Sequence, residues 1–363
     1  MIKKYILAIN PGSTSTKVSL FKNEVEVETK KIIHPIDILN KYTNIMEQYE
    51  YRLNLIKDWL VDININKGEL LAVVGRGGLL KPIPGGTYFV STPMIEDLGK
   101  GLQGAHASNL GAILAKHIGD LYGVNAYIVD PVGVDEFHEV ARITGLKELP
   151  KVSLIHALNM KAIGHRRAKE LGKTLEQSNF IIAHLGGGIS VAPFLKGRAI
   201  DVNNAIQMGP MSPERSGQLP VGDLIKMCFS GDYTLDQMKQ KVQGNGGLIS
   251  YLNTSDGEEV LARINNGDNY AKLIFDAMAY QISKEIGSCA AVLKGQVENI
   301  IITGGLAYSQ YLVDYIRDSV SFLAELVVFP GEDEMLALNN GVLRVLQGEE
   351  SAKIYEDEVA NND

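Results

Sequence analysis

YILAINPGSTSTKVSLF, at residues 5–21, is the stretch that decides the fold of this 363-residue chain. Its apolar start enters a turn rich in Gly, Ser and Thr at residues 10–16 and then resumes as a second apolar run. A polar turn follows, and residues 24–30 are again rich in Val and Thr. Apolar runs joined by short polar turns predict paired strands, so this end of the chain is predicted to be a strand–turn–strand–turn–strand unit.

The same pattern recurs about half a chain later. FIIAHLGGGISVAPF, at residues 180–194, is followed by a turn at 196–197 and a further strand-like run at 198–202. Two copies of one unit predict two similar domains. A third junction between an apolar run and glycines, Ile300–Gly305, precedes a predicted helix.

Helices are predicted between these units from the spacing of apolar residues. Residues 106–122 and 269–293 both place Leu, Ile and Met at helical intervals, and we interpret these amphipathic faces as core. The tail after Leu346 is acidic and polar, and it is predicted to fray.

Composition narrows the class of protein. The net charge of −8 argues against a nucleic-acid binder, because neutralising phosphates requires clustered Lys and Arg. Cys228 and Cys289 are far apart, which argues against a disulfide framework or a structural zinc site and favours a reducing compartment. The apolar run at 5–9 is too short for a signal peptide, and no stretch approaches the roughly 20 apolar residues of a membrane helix. We therefore expect a cytoplasmic protein with no membrane contact.

The glycine-rich turns are candidates for phosphate binding. Backbone N–H groups that converge in such a turn bind phosphate oxygens, and glycine lets the backbone approach closely. Gly12-Ser13 and Gly186-Gly187-Gly188 fit this description, although either alone is equally explained as a tight hairpin. Their repetition, together with Gly304-Gly305, favours a nucleotide. The sequence lacks G-x-x-x-x-G-K-[ST] and lacks a strand followed by G-x-G-x-x-G, so neither a P-loop nor a dinucleotide fold is indicated.

Two arginines lie in turns of small residues. Arg76 follows an apolar run within Gly75-Arg76-Gly77-Gly78, and Arg215 lies in Pro213-Glu214-Arg215-Ser216-Gly217. A guanidinium in such a turn suits bidentate binding of carboxylate or phosphate, whereas each arginine taken alone is more often part of a surface ion pair.

Several other polar residues border apolar segments. His106, His156 and His184 fit structural roles as well as functional ones, and no H-x-x-x-H pair supports metal binding by histidine. Asp130 is suited to hold a hydroxyl, a water or a metal, or to cap a turn, and Glu334 resembles a solvated acidic turn. The residues by themselves indicate a two-lobed nucleotide enzyme with several anion-binding candidates.

These motifs resemble the acetate kinase family, within the superfamily of actin, hexokinase and the heat-shock ATPases, and are most similar to its butyrate kinase branch. The likeness covers essentially the whole chain, at residues 9–17, 91–111, 129–131, 154–157, 184–190, 201–204, 214–217, 302–305 and 329–334. It implies an α/β fold of two duplicated ribonuclease-H-like domains. Residues 1–152 would form the first and 153–330 the second, with about 331–363 packing back on the first.

The resemblance also implies a reaction, in which ATP and a short-chain carboxylate give ADP and an acyl phosphate, reversibly. It assigns Mg²⁺ to Asn10 and Glu334, and it places Asp256, Gly304 and Gly305 near the nucleoside. The residues that it assigns to the phosphates are Ser13, Lys17, His184, Gly186, Gly187 and Gly188, with Asp201 close by.

The resemblance gives four residues a part in the chemistry. Arg76 binds the substrate carboxylate, Arg215 and His156 stabilise the transferring phosphoryl group, and Asp130 takes the family's catalytic acid position, acting through Arg76 or a water. Because a carboxylate is already ionised at pH 7, a general base is dispensable and alignment matters more.

The substrate pocket implied by the resemblance contains Arg76, Gly78, Ala105, His106 and Ile155. Acetate kinases carry bulky apolar residues near the substrate methyl, where this chain has Gly78, Ala105 and Ile155. Smaller side chains leave room for methylenes, each contributing about 0.8 kcal/mol when buried, which favours butyrate or isobutyrate.

Two alternatives remain from the sequence. One is an acetate or propionate kinase with a relaxed pocket, and the other is an actin-like filament or chaperone ATPase, which has no need of a cationic acyl site. The family forms homodimers through the C-terminal domain, so a homodimer or higher homo-oligomer is implied.

Overall fold

A computed structural model describes residues 4–360 and divides the chain into two units. Unit 1 contains the described residues up to Asp135, the segment Ala157–Ala162, and the described residues from Asp333 onwards. Unit 2 contains Glu136–His156 and Ile163–Glu332. The expected boundary between residues 152 and 153 thus falls inside a segment that belongs to unit 2. The outermost parts of the expected ranges, 1–3 and 361–363, lie outside the described residues.

Six of the described strands form the sheet of unit 1, in the order β3-β2-β1-β4-β6-β5. Strands β1, β4 and β6 run parallel, whereas β2, β3 and β5 are antiparallel to their neighbours. The pairing of β1 with β2 places Asn10 opposite Lys17 and Pro11 opposite Thr16, so the tip of the hairpin is residues 12–14. The strands are β1 Tyr5–Pro11, β2 Ser15–Lys22, β3 Val25–Ile33, β4 Leu70–Arg76, β5 Thr87–Phe89 and β6 Asn125–Val129.

Unit 2 repeats this arrangement with five described strands in the order β11-β10-β7-β8-β9. Here β7, β10 and β11 run parallel, and β8 and β9 are antiparallel, as β2 and β3 are in unit 1. The predicted α/β fold with a duplicated strand–turn–strand–turn–strand unit is therefore confirmed. The strands are β7 Asn179–Leu185, β8 Ile189–Leu195, β9 Arg198–Ala199, β10 Asn299–Gly304 and β11 Glu325–Pro330.

The two long predicted helices are present with small changes at their ends. The helix predicted from residue 106 begins at Asn109, because residues 106–108 form a tighter turn in which the Asn109 amide bonds to the His106 carbonyl. Short 3-10 turns lie at Ile45–Gln48, Leu175–Gln177 and Gly305–Tyr308. The helices are α1 Ile36–Leu39, α2 Tyr49–Asp62, α3 Thr92–Lys100, α4 Asn109–Tyr122, α5 Glu139–Arg142, α6 Ala157–Glu170, α7 Val221–Phe229, α8 Leu235–Val242, α9 Gly247–Leu252, α10 Gly257–Asn265, α11 Asn269–Val292, α12 Gln310–Val320, α13 Glu334–Gln347 and α14 Tyr355–Ala360.

The sheet of unit 1 is covered on both faces at β1, which explains why this strand is apolar at successive positions. Leu7 and Ile9 belong to the core that includes α2, α3 and α4. Ile6 and Ala8 point to the opposite face and pack in the core that contains α13. A helix from the C-terminal end of the chain therefore completes the N-terminal sheet.

The expectation that the tail after Leu346 frays is wrong. The tail forms α14, and its Tyr355 is only 2% exposed. The Tyr355 hydroxyl donates a 2.9 Å hydrogen bond to Asp97 Oδ2. A single buried aromatic side chain with a partner for its hydroxyl outweighs the polar composition of the segment around it.

Candidate active site

The first hairpin, defined as residues 10–17, presents small polar residues. Asn10 lies near the end of β1, and Ser13 and Lys17 are exposed on the turn and on β2. Pairing of β1 with β2 fixes Asn10 opposite Lys17, so an amide and an ammonium group flank the exposed tip.

Asn10 belongs to a cluster with Arg76 and Glu334. The Asn10 Nδ2 donates to Glu334 Oε2 at 2.6 Å, and Arg76 Nη1 lies 2.7 Å from Glu334 Oε1. Arg76 is the last residue of β4, and Glu334 is the first residue of α13, so strand end and helix start bring these three residues together. The predicted carboxylate-binding and magnesium-binding residues are neighbours.

This cluster suits Mg²⁺. The carboxylate of Glu334 and the amide oxygen of Asn10 are the hard oxygen donors that this ion prefers, and Mg²⁺ usually takes one or two carboxylates together with substrate phosphates and water. Among residues 4–360, no group of three or more His, Cys, Asp or Glu side chains is arranged for a metal ion.

The residues of the predicted substrate pocket differ in what they offer. Ala105 is exposed in the segment before α4, and Ile155 is buried within unit 2. His106 Nδ1 lies 2.8 Å from Ser108 Oγ. Burial and then the charge of Arg76 lower the pKa of His106, so the neutral ring is favoured.

Gly78 does not provide the room for a longer acid that its size predicts. A Cβ at this position would lie 2.5 Å from Asn109 Oδ1 and 2.7 Å from Asn109 Cα. Helix α4 therefore fills the space that a side chain at position 78 would occupy, so no space is left there for substrate methylenes. Gly78 is required by the packing of the loop on the helix, and the proposed room for a longer acid now depends on Ala105 and Ile155.

Asp130 does not pair with Arg76 in this structure. Its carboxylate accepts a 2.8 Å hydrogen bond from the Gly86 amide, and its own amide donates to the Gly86 carbonyl at 3.0 Å. Burial raises the pKa of Asp130 to about 6, while the charges of Lys161 and Arg344 act in the opposite direction. Asp130 also adopts a left-handed backbone with φ of 39°, which few residues other than glycine tolerate.

The second hairpin, defined as residues 184–190, is held close to Arg215. A Cβ at Gly188 would lie 2.2 Å from Arg215 Nη1, so the guanidinium lies directly on this glycine. Ser212 Oγ donates to the Gly187 carbonyl at 2.6 Å and accepts from the Arg215 amide at 3.1 Å. Burial lowers the pKa of Arg215, which remains far above neutrality for a guanidinium.

Two histidines stack beside this hairpin. The rings of His156 and His184 lie 4.3 Å apart at an interplanar angle of 25°. His156 Nδ1 is 2.9 Å from Ser190 Oγ, and His184 Nε2 is 3.1 Å from Glu332 Oε1. The structure thus brings together His156, His184, Gly188 and Arg215 within unit 2.

An open cleft of about 650 Å³ adjoins the second hairpin in unit 2. It brings together four residues that were predicted to bind the nucleotide: Gly186, Gly187, Asp256 and Gly305. Leu261, Leu306 and Tyr308 give the cleft an apolar side. Its size and mixed lining are typical of small-ligand sites.

Gly304 and Asp256 shape the chain around this cleft, Gly304 through its backbone and Asp256 through its side chain. Gly304 has a φ of 92°, and a Cβ there would lie 2.3 Å from the Leu185 carbonyl oxygen, so only glycine lets β10 meet the end of β7. Asp256 caps α10 by accepting from the Glu258 amide at 2.8 Å. Asp201 lies outside the cleft lining and pairs with Lys151 at 2.5 Å.

Sequence reasoning missed Arg52, a wholly buried residue of α2 that bonds to the first hairpin. Its position was visible in the helical spacing. Arg52 precedes buried Ile56 by four residues and buried Trp59 by seven, so it lies on the apolar face of the helix. A charged residue on such a face needs an internal partner.

The chain is similar to known proteins over nearly its whole length. Residues 154–341 match the model of the Acetokinase family. A probable butyrate kinase 2 of Caldanaerobacter subterraneus subsp. tengcongensis is 54% identical over 350 residues, which covers 96% of this chain and 99% of that protein. Butyrate kinase 2 of Clostridium acetobutylicum is 52% identical over 355 residues, covering 98% and 100%.

Solved structures with the same fold are more distant in sequence. Acetate kinase of Porphyromonas gingivalis superimposes with a TM-score of 0.76 at 19% identity, covering 94% of this chain and 100% of that one. Acetate kinase of Entamoeba histolytica gives a TM-score of 0.75 at 18% identity, with 94% and 100% covered. These likenesses confirm the predicted fold of two duplicated ribonuclease-H-like domains.

Proposed function

Because this chain belongs to the Acetokinase family, we propose that butyrate or isobutyrate is the acid that it phosphorylates with ATP. It is a kinase with a carboxylate acceptor, and the actin-like alternative is set aside. The observation that carries the choice of acid is the identity of 52–54%, over nearly the full chain, to proteins named as butyrate kinases or probable butyrate kinases. The products are an acyl phosphate and ADP.

Unit 1 supplies the groups for the acid and the metal in this proposal. Arg76 exchanges its bond with Glu334 for a bidentate bond with the substrate carboxylate, which orients one carboxylate oxygen as the nucleophile. Asn10 and Glu334 would hold Mg²⁺, which supplies positive charge to the phosphate oxygens when it is bound. His106, held by Ser108, lines the acyl site as a neutral donor.

Unit 2 supplies the groups for the nucleotide and for charge. The cleft beside Gly186, Gly187, Asp256 and Gly305 takes ADP or ATP, with Leu306 and Tyr308 against the base. Arg215 and His156 stabilise charge on the transferring phosphoryl group, which is the main requirement of phosphoryl transfer. The contact of Arg215 with Gly188 supports this role, because it keeps the guanidinium at the phosphate turn.

Asp130 acts as a positioning residue in this scheme. It fixes the loop at Gly86, because its carboxylate accepts from the Gly86 amide and its own amide donates to the Gly86 carbonyl, and the charge of Lys161 acts on its carboxylate. General base catalysis is unnecessary because the acid is already ionised at neutral pH.

An assay of acyl phosphate formation, trapped as the hydroxamate, tests the proposal across acids of two to five carbons. We expect kcat/KM to be highest for butyrate or isobutyrate, and Arg76→Ala to abolish most of the activity with every acid. A higher kcat/KM for acetate than for butyrate would contradict the choice of acid. Full activity of Arg76→Ala would contradict the assignment of the carboxylate site.

We also propose a homodimer and a cytoplasmic location. Helix α7 has no buried residue in the described structure, and it exposes Val221, Ile225 and Phe229, the last at 85%. Such an apolar helix favours burial against a second copy. Sedimentation of the wild type and of Phe229→Asp tests the dimer, and a monomeric wild type would refute it.

The two cysteines are free, which supports a reducing compartment and so the cytoplasmic location. Between residues 4 and 360, no helix is long and apolar enough to cross a bilayer.

A further inference from the structure

Arg52 lies in the core of unit 1 and contacts the first hairpin. Its side chain is fully buried, at 0% exposure. Nη1 donates to the Gly12 carbonyl at 2.8 Å, to the Ser15 carbonyl at 3.3 Å and to Thr16 Oγ1 at 3.0 Å. Nη2 donates to the Ser13 carbonyl at 3.1 Å. A single guanidinium therefore binds most of the hairpin turn.

These bonds divide the polar groups of the turn by kind. The carbonyls of Gly12, Ser13 and Ser15 accept from Arg52, and the Thr14 carbonyl accepts from the His34 amide at 2.8 Å. The amides of Ser13 and Thr14 are on exposed residues, and no group in residues 4–360 accepts from them. The turn therefore directs acceptors inward and leaves donors outward, which is the arrangement that binds anions.

The charge of Arg52 is not neutralised by the described protein. Within residues 4–360, no carboxylate pairs with it, and its remaining partner is the neutral Gln48, whose Oε1 accepts from Nε at 3.1 Å and from Nη2 at 2.8 Å. Burial lowers the pKa of Arg52 to about 10, so it stays charged at neutral pH. An unpaired buried charge is costly, and an anion bound at the turn reduces that cost.

We propose that Arg52 is a positioning residue for nucleotide phosphates: it fixes the first hairpin as a donor-only turn and makes that turn electropositive. The inference rests on the proposed kinase function. The ligand class is the polyphosphate of ATP or ADP, bound through the backbone amides of Ser13 and Thr14.

The decisive variant is Gln48→Glu. It keeps an oxygen acceptor beside Nε and Nη2 but gives Arg52 an internal counter-ion, so the shape of the turn is kept while its charge is neutralised. We expect the dissociation constant for Mg·ADP, measured by calorimetry, and the KM for ATP to rise about tenfold, with the KM for butyrate unchanged. An unchanged dissociation constant in a folded Gln48→Glu protein would overturn the proposal that the charge of Arg52 favours phosphate binding.

Arg52→Lys and Arg52→Met separate charge from geometry. Lysine keeps the charge but cannot bind four acceptors in one plane, so we expect Arg52→Lys to lose part of the ADP affinity. Arg52→Met loses both the charge and the hydrogen bonds, and we expect it to lose the most ADP affinity. Arg167→Met is the matched control, because Arg167 holds Asn299 and Glu325 in unit 2 and should lower thermal stability without changing ADP affinity. Equal ADP affinity in Arg52→Met and the wild type would overturn the proposal.

The role of Arg52 and the kinase activity can fail independently in these experiments. If the wild type forms no acyl phosphate from any acid of two to five carbons, the function is wrong, while ADP binding by Gln48→Glu still tests Arg52. If the wild type is an active butyrate kinase and Gln48→Glu binds ADP with unchanged affinity, the proposed function is supported and the proposed effect of the Arg52 charge is refuted.

Discussion

The two hairpins occupy equivalent places in two sheets that share the order of five strands, yet their turns are held by different groups. The first hairpin is held from inside the protein, where buried Arg52 binds its carbonyls. The turn of the second hairpin consists of three glycines, Gly186, Gly187 and Gly188, and its cation, Arg215, lies against Gly188. The strand arrangement is alike in the two units, whereas the groups that hold the two turns differ.

The difference shows what each hairpin tolerates. The first turn keeps its shape through a side chain from α2, so residues with side chains, Ser13 and Thr14, occupy its tip. The second turn keeps its shape through close approach, so Gly188 has no room for a side chain. Substitutions in the supporting core should therefore damage the first hairpin, and substitutions in the turn itself should damage the second.

The largest effect is expected from Arg215→Ala. Removing the cation from the second hairpin should lower kcat by about 10²–10³-fold, because a preorganised group that stabilises transition-state charge contributes that much. Thermal stability should change little, since within residues 4–360 the guanidinium donates to a single protein acceptor, the Ala205 carbonyl. A kcat within threefold of the wild type would remove Arg215 from the chemistry.

The next effect tests whether the first hairpin is held from within. His34 Nε2 lies 2.8 Å from Thr16 Oγ1, and burial followed by the charge of Arg52 lowers the pKa of His34 to about 4. The unfolded chain takes up this proton near pH 6.5, so stability from neutral His34 is present above that pH and is lost as the pH falls towards 4. The loss should be about 3 kcal/mol.

Urea unfolding at pH 7 and pH 4 measures this loss. Glutamine at position 34 keeps a hydrogen-bond partner for Thr16 without a titrating ring, so His34→Gln should lose about 3 kcal/mol less than the wild type over the same range. Identical losses in the two proteins would show that protonation of His34 does not disturb the hairpin.

A smaller effect is expected from Gly188→Ala. The added Cβ would lie 2.2 Å from Arg215 Nη1 and must displace the guanidinium, so kcat should fall about 10- to 100-fold. Gly287→Ala, on α11 of the same unit and away from the cleft, is the control. No atom lies within 4 Å of its added Cβ, and kcat should stay within about twofold. Equal effects of the two alanines would refute the argument from close approach.

The smallest effect is expected from Ser212→Ala. This change removes the bond to the Gly187 carbonyl and the bond from the Arg215 amide, each contributing about 1 kcal/mol. We expect a drop of a few degrees in melting temperature and a loss of kcat of a few fold. A melting temperature equal to that of the wild type would show that the second hairpin needs no support from Ser212.

The sequence predicted the duplicated sheets because apolar runs and glycine turns are local signals. Arg52 escaped prediction because its carbonyl partners lie 37–40 positions away, and such partners leave no trace in composition. The reading of Gly78 failed for a related reason, since a missing side chain signals space only when no helix fills it. The burial of Tyr355 against Asp97 likewise depends on residues 258 positions apart.

Prediction of the candidate site also succeeded for local motifs and failed for contacts between residues far apart in the sequence. Gly186, Gly187 and Gly305 were found by motif and Asp256 only through the resemblance to a family, and one cleft unites the four residues. The bond between Arg76 and Glu334 joins a strand end to a helix start at the far end of the chain, and only the resemblance to a family put both in one site.

The packing of α13 on the sheet of unit 1 has a consequence for synthesis on the ribosome. One face of that sheet, with Ile6, Ala8 and Val74, is covered by Met335 and Leu338. These helix residues leave the ribosome after every strand of both sheets. The sheet of unit 1 is therefore synthesised first, but one of its faces is covered last. Until then its apolar face is open to chaperones or to aggregation. Truncation before residue 335 should therefore expose that face and release a nascent chain that misfolds.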